Sequence, residues 1–309
     1  VLFNQPMVGL GAVKADDKKA GGFPIRIEPA VKASYRWTGT DTLKVDVKKR
    51  FRHATRYRVT IPAGTRSAAG RKLAKAVRWT FETPRPAVTS AELHPRLDMR
   101  AKRLRTTGDG IMIYTNQKVS LSELRKHLKV TVAGKDAPFT LAAPANRDDD
   151  PVIKLQSKLP PGATVVVEVS KGLRGTEGPL PALKGSTYRF RVRQALAAHV
   201  TCGKRRIGPK DRCAPMVSHY EQGIHLRFTE PVCKPQLLKK LRITPRIPNL
   251  AKALEGTDTY YPSGNIPCAR VFRINRNLRP FKRYRIRVAA GLKDLHGQKL
   301  ARPFKTQFE

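Results

Sequence analysis

Acidic residues are scarce in this chain. Asp and Glu number 23 against 62 Lys and Arg, a formal net charge of +39 over 309 residues. With so few carboxylates, most cations must face solvent or an anionic partner rather than an internal counter-charge. Aromatic residues are also few, at 7%. No RNP-type aromatic pair stands beside glycines, no zinc-finger spacing occurs and no helix-turn-helix pattern is present, so sequence-specific nucleic-acid recognition is not expected. No run is long and apolar enough for a membrane-spanning segment.

Catalytic strings are missing too. There is no HExxH, GxSxG, P-loop or GxGxxG. The seven histidines (His53, His94, His127, His199, His219, His225 and His296) are scattered. His225 alternates with apolar residues and is expected to face out of its strand. Asp148, Asp149 and Asp150 precede Pro151. Three adjacent carboxylates without a glycine-spaced ligand set read as a solvated turn, not a calcium loop. No catalytic residue, metal ligand or cofactor site is nominated, and the chain is not expected to be an enzyme.

Cysteine is confined to the last third: Cys202, Cys213, Cys233 and Cys268. Four cysteines allow three pairings. Locality favours Cys202–Cys213 and Cys233–Cys268. The even count and loop settings suit an oxidising, extracytoplasmic compartment, periplasmic, cell-surface or secreted. The competing reading is zinc held by Cys202, Cys213 and His199 or His219. No Cys-x-x-Cys pair supports it.

What is present is a repeat. Tyr57 to Glu82 (YRVTIPAGTRSAAGRKLAKAVRWTFE) aligns without a gap on Tyr284 to Glu309 (YRIRVAAGLKDLHGQKLARPFKTQFE), with ten of 26 positions identical. A weaker copy lies between them, with Val165, Val167 and Val169 at the places of Tyr57, Val59 and Ile61. Self-similarity at long period indicates an array of like domains.

Each copy holds runs with apolar residues at every second position: 1–7, 25–29, 43–47 and 57 onward in the first; 111–119, 128–132, 152–155 and 165 onward in the second; 224–232, 241–245, 271–274 and 284 onward in the third. That period is the signature of half-buried strands, and short strands separated by turn signals predict a β-sandwich. Gly64, Gly172 and Gly291 end the fourth strand of each copy, and Gly70, Gly178 and Gly297 follow six residues on. Phe51, Leu159 and Leu278 precede that strand by six residues and are read as apolar plugs. LSELRKHL (121–128) and KPQLLKKL (234–241) each predict one or two helical turns.

The fold class expected is therefore all-β: three tandem antiparallel sandwiches spanning 1–86, 87–193 and 194–309. Thr83-Pro84-Arg85-Pro86 forms a stiff linker. The first copy lacks residues ahead of its first β-run, so an N-terminal strand and any targeting segment are expected upstream.

Residues Val1 to Pro86 resemble the Ig-like domain near the N-terminus of bacterial alpha-2-macroglobulin-type proteins. Phe3-Asn4-Gln5-Pro6, Ile27-Glu28-Pro29-Ala30-Val31, Trp37-Thr38-Gly39-Thr40-Asp41-Thr42-Leu43, Pro62-Ala63-Gly64-Thr65 and Trp79-Thr80-Phe81-Glu82-Thr83-Pro84 carry the likeness. The general Ig-like pattern, shared with S-layer proteins, fits the other copies. The resemblance implies three Ig-like domains serving as a non-catalytic N-terminal scaffold of a protease inhibitor. Its partners would be other domains of a longer chain and, through the whole protein, proteases. The family's thioester needs Cys-x-Glu-Gln. The nearest string here is His219-Tyr220-Glu221-Gln222, with histidine in the nucleophile's place, so no thioester can form.

A second reading comes from charge. Arginine occupies alternate positions at Arg189, Arg191 and Arg193, and again at Arg285 and Arg287. On strands this makes a cationic outward stripe, suited to DNA, an anionic glycan or lipopolysaccharide. On that reading the chain is a stand-alone cell-envelope adhesion or polyanion-binding module. The competing account is a solvated face in a basic protein.

Overall fold

A computed structural model describes residues 1–9, 23–94, 103–143, 150–203, 205–208, 211, 223–257, 267–274 and 282–308. The first copy contributes β1 (Arg26–Glu28), β2 (Ala33–Trp37), β3 (Leu43–Val47), β4 (Arg56–Ile61) and β5 (Val77–Glu82). The second contributes β6 (Val88–His94), β7 (Arg103–Leu104), β8 (Gly110–Thr115), α1 (Leu121–His127), β9 (Leu128–Val132), β10 (Lys135–Asp136), β11 (Phe139–Ala142), β12 (Val152–Leu155), β13 (Thr164–Val169) and β14 (Ser186–Val192). The third contributes β15 (Ala198–Cys202), β16 (Arg205–Arg206), β17 (Ile224–Cys233), α2 (Lys234–Lys240), β18 (Leu241–Thr244), α3 (Leu250–Ala253), β19 (Leu254–Gly256), β20 (Cys268–Ile274), β21 (Tyr284–Val288) and β22 (Phe304–Phe308). The protein is all-β in class. Among the described residues the strands pair mainly antiparallel, and in a short parallel pair Arg191 and Val192 of β14 lie beside Arg103 and Leu104 of β7.

Contacts divide the chain into two compact units. One comprises 1–99, 109–157 and 165–189; the other comprises 100–108, 158–164 and 190–309. In the first unit the sheets run β1-β4-β5, β2-β3 and β11-β12-β8-β6, and β9 pairs with β10 and β13. Burial in β4 alternates strictly: Tyr57, Val59 and Ile61 are buried while Arg56 and Arg58 are exposed. Tyr57 stacks on Phe81 with ring centroids 5.4 Å apart, and Phe51 meets both rings edge-on. Phe51 is thus the plug its spacing predicted. Leu159 is buried as well, and Leu278 lies outside the described residues.

In the second unit a five-stranded sheet, β16-β15-β17-β20-β19, faces a three-stranded one, β18-β21-β22. Their inner residues form one core. Val200, Leu226, Phe228 and Phe272 come from one sheet, and Leu241, Ile243, Tyr284, Ile286 and Phe308 from the other. Tyr284 stacks on Phe308 at 5.7 Å, the same pair as Tyr57 and Phe81 in the first copy.

The turn glycines behave as a set. Gly64, Gly172 and Gly291 have φ of 79°, 95° and 75°, where a side chain is strained. Both short helices form, each with one buried leucine, Leu124 and Leu237. Ser120 caps the first by accepting from the Glu123 backbone N–H at 3.2 Å.

The first run, Val1 to Met7, is not a regular strand. It makes one bridge, Leu2 to Thr42. His225 lies, as alternation predicts, on the sheet face away from the core residues Leu226 and Phe228, but it is buried there. It is 7% exposed, set between Thr201 of β15 and Arg273 of β20 on the central strand of its sheet. Burial, and then Arg227 and Arg273, hold its pKa below the usual histidine value. Trp79, directly across from the buried Val59, is 38% exposed. In the first copy Ile25, Leu43 and Val59 are buried in one cluster, with Phe3, Phe23, Tyr35, Trp37 and Phe81 packed against it. A cleft of about 470 Å³ opens between its two sheets, lined by Ile27, Phe51 and Trp79 among others.

Candidate functional site

The copies share more than strands. The backbone N–H groups of Ala68, Thr176 and Leu295 donate to the carbonyls of Pro6, Lys118 and Pro231, the same bond at the same place in each copy. Just before these carbonyls sit polar residues that take hold of the incoming linker. Asn116 receives the Ala87 N–H on its Oδ1 at 2.9 Å and donates from Nδ2 to the Arg85 carbonyl at 2.8 Å. Thr229 does the same work with one hydroxyl: it receives from Ala197 N–H at 3.0 Å and donates to the Ala195 carbonyl at 2.8 Å. A backbone that is fixed from both its donor and its acceptor cannot swing freely.

A second grip lies within the first unit. Glu177, on a turn of the second copy, accepts from both terminal nitrogens of Arg50 and from the His53 backbone N–H at 2.9 Å. Arg52 donates to the Glu177 carbonyl. The Arg50 hydrogen bonds, then the His53 N–H, hold the Glu177 carboxyl down at about 2. Beside it, Gly178 leaves no room for a side chain. A Cβ there would fall well inside 3.0 Å of the His53 and Ala54 carbonyl oxygens. The sequence placed Gly178 in a turn like Gly70 and Gly297; the structure gives it a different reason, close backbone approach.

In the second unit an ionic cluster is buried. Glu230 is fully enclosed and accepts from Arg193 at 2.9 Å; Arg270 approaches at 3.5 Å and Arg103 at 3.6 Å. Arg193 is 2% exposed. It therefore cannot belong to the polyanion stripe, because no polymer reaches it. Alternation failed here because β14 ends at Val192, so Arg193 has left the strand. Nearby, Asp294 is 5% exposed and receives the His296 and Gln298 backbone N–H groups on one oxygen. Burial raises its pKa to about 6, against the pull of those two hydrogen bonds.

Arg189, Arg191, Arg285 and Arg287 are all exposed. The last two lie on the outer face of the β18-β21-β22 sheet, where sequence reasoning missed their neighbours. Arg242 stands directly across from Arg287 on one side and Lys305 on the other. Alternation shows which residues point out, but not which strands lie side by side.

Cys233 and Cys268 form a disulfide between directly paired residues of β17 and β20. Cys202 is also disulfide-bonded. Cys213, its expected partner, lies outside the described residues, as do Asp148, Asp149 and the 219–222 string. Among the described residues no group of three or more His, Cys, Asp or Glu is placed to hold a metal. A second cleft, about 550 Å³, lies beside α1 and is lined by Leu121, Arg125, Phe139 and Gln156. Arg125 lies over the Phe139 ring at 3.8 Å. No helix among the described residues is long and apolar enough to cross a membrane.

Paired antiparallel sheets of this kind define an all-β protein. Residues 1–83 match the family model for the bacterial Ig-like domain, and over that stretch the chain is similar to that family. No curated protein matches the chain. The match and the disulfide are consistent with an extracytoplasmic location.

Proposed function

We propose that the chain is a non-catalytic scaffold and interaction segment of a longer extracytoplasmic protein, built from Ig-like domains at 1–86, 87–193 and 194–309. The observation that carries this is the linker grip, repeated at Asn116 and Thr229 with the same bonds. Residues spent on fixing linkers favour a spacer that presents surfaces. The resemblance of Val1 to Pro86 extends the reading to the N-terminal part of an alpha-2-macroglobulin-like inhibitor, whose reactive thioester would lie elsewhere. The test is the full-length protein. A Cys-x-Glu-Gln outside this stretch, together with retention of an added protease, is the expected result. A complete chain with neither overturns the inhibitor reading.

A second reading has its own support. Arg285, Arg287 and Lys305 form no ion pair with any described residue, and they share one exposed face. This favours a polyanion-binding module of the cell envelope. Binding of the whole chain to heparin that saturates at 0.15 M salt, where the Debye length is about 8 Å, supports it; loss of all binding at that salt removes it.

A further inference from the structure

The three copies place an equivalent row of residues across the outer face of the same sheet. In the first copy the row is Arg26, Thr60 and Arg78. The residue at the place of Thr60 in the second copy is Glu168, paired with Lys129. In the third copy the row is Arg242, Arg287 and Lys305. The central residue is thus neutral, acidic and basic in turn. One fold tolerates all three, so folding does not call for arginine at 287.

Like charges directly opposite on neighbouring strands are destabilising. The third copy nonetheless sets three in one row. Among the described residues, the next row on that outer face is Thr244, Arg285 and Gln307, again in register and without an acid. In the first copy the corresponding row, Glu28, Arg58 and Thr80, includes a carboxylate. Beneath the third face, Leu241, Ile243, Ile286 and Val288 are buried, so the arginines are held on a packed platform. Arg242 is steadied further by donating to the Leu241 carbonyl at 2.9 Å.

We infer that this face binds an anionic polysaccharide; the inference rests on the polyanion reading above and assigns it to one surface. Strands lie about 4.8 Å apart and rise about 3.3 Å per residue, so the row spans about 10 Å and Arg285 stands about 7 Å from Arg287. Such a lattice matches closely spaced acidic groups along an extended polymer. Thr244 and Gln307 flank Arg285 with neutral hydrogen-bonding groups, which suit sugar hydroxyls between charged substituents. The face offers no aromatic ring for base stacking and no helix to enter a groove, which disfavours nucleic acid. The disulfides suit a compartment where acidic polymers are glycans.

The test uses the full chain and fluorescent heparin oligosaccharide as the probe, at 0.15 M salt and across a salt series. Arg287→Thr, which installs the first copy's residue, is expected to weaken binding about fivefold and to lower the salt slope by about one. Arg58→Thr, on the equivalent strand of the first copy, is expected to change affinity less than about twofold. Lys305→Gln repeats the test should Arg287→Thr fail to fold by circular dichroism. Equal losses for the third-copy and first-copy variants overturn this face while leaving polyanion binding intact. No saturable heparin binding by the unaltered chain overturns both. Tighter binding of charge-matched duplex DNA or of phosphatidylglycerol vesicles overturns the polysaccharide assignment.

Discussion

Glu230 accepts from Arg193 at 2.9 Å in a place where neither side chain meets appreciable solvent. A buried ion pair need not add net stability, yet removing one partner leaves an uncompensated charge. Glu230→Ala removes the carboxylate that Arg193, Arg270 and Arg103 share. The expected loss is about 3–5 kcal/mol, read as a lowered urea midpoint. Replacing both residues with apolar ones of similar size should cost less than Glu230→Ala alone.

Asp294 predicts a pH dependence. Its carboxyl titrates at about 6 when folded, above the ordinary value of 3.8, chiefly because it is buried. The folded state therefore holds that proton more tightly than the unfolded state. The stability this contributes is present in full below pH 3.8 and is lost as pH rises through about 6. Asp294→Asn keeps the acceptor for His296 and Gln298 without the charge. It should raise stability by about 1–3 kcal/mol at pH 7 and flatten the stability profile over that window.

The Glu177 grip behaves oppositely. Its carboxyl is held at about 2, below the ordinary 4.5, by Arg50 and the His53 N–H. Stability from this group is present above pH 4.5 and is lost as pH falls through about 2. Because Arg50 is 55% exposed, the contribution is about 1 kcal/mol. Glu177→Gln should lower the hydrogen-exchange protection factor of the His53 amide at pH 7, and by the same factor at pH 5.

Gly178→Ala should be worse than its size suggests, because the added methyl meets two carbonyl oxygens that belong to the backbone. A loss of about 2–4 kcal/mol is expected by thermal or urea unfolding. Gly39→Ala is the control. Its nearest neighbour would be Asp41 Oδ1 at 3.6 Å, an ordinary contact, and it should be near neutral.

The strands were legible because alternation is local. β4, β9, β13, β18 and β21 fall on the runs predicted from period two, and their buried members are apolar. Both short helices were legible from their spacing. β6 and β15 were not, since VTSAELH and AHVTC mix small, polar and apolar residues without a clean period. The joints escaped the sequence because their partners are far apart. Glu177 meets residues more than 120 positions away, and Arg193 meets Glu230 across 37. Of the arginine stripe, alternation identified the exposed members. It gave no view of Arg242 and Lys305 beside Arg287, which only strand register supplies.

The central claim is that this chain is a scaffold whose linkers are gripped in place. Its most direct test is amide exchange at Ala87 and Ala197 in the full chain, the two linker amides held by Asn116 Oδ1 and Thr229 Oγ1. The account predicts slow exchange at both, with Asn116→Ala accelerating Ala87 alone and Thr229→Ala accelerating Ala197 alone. Exchange at both amides as fast as in an unstructured peptide would contradict it.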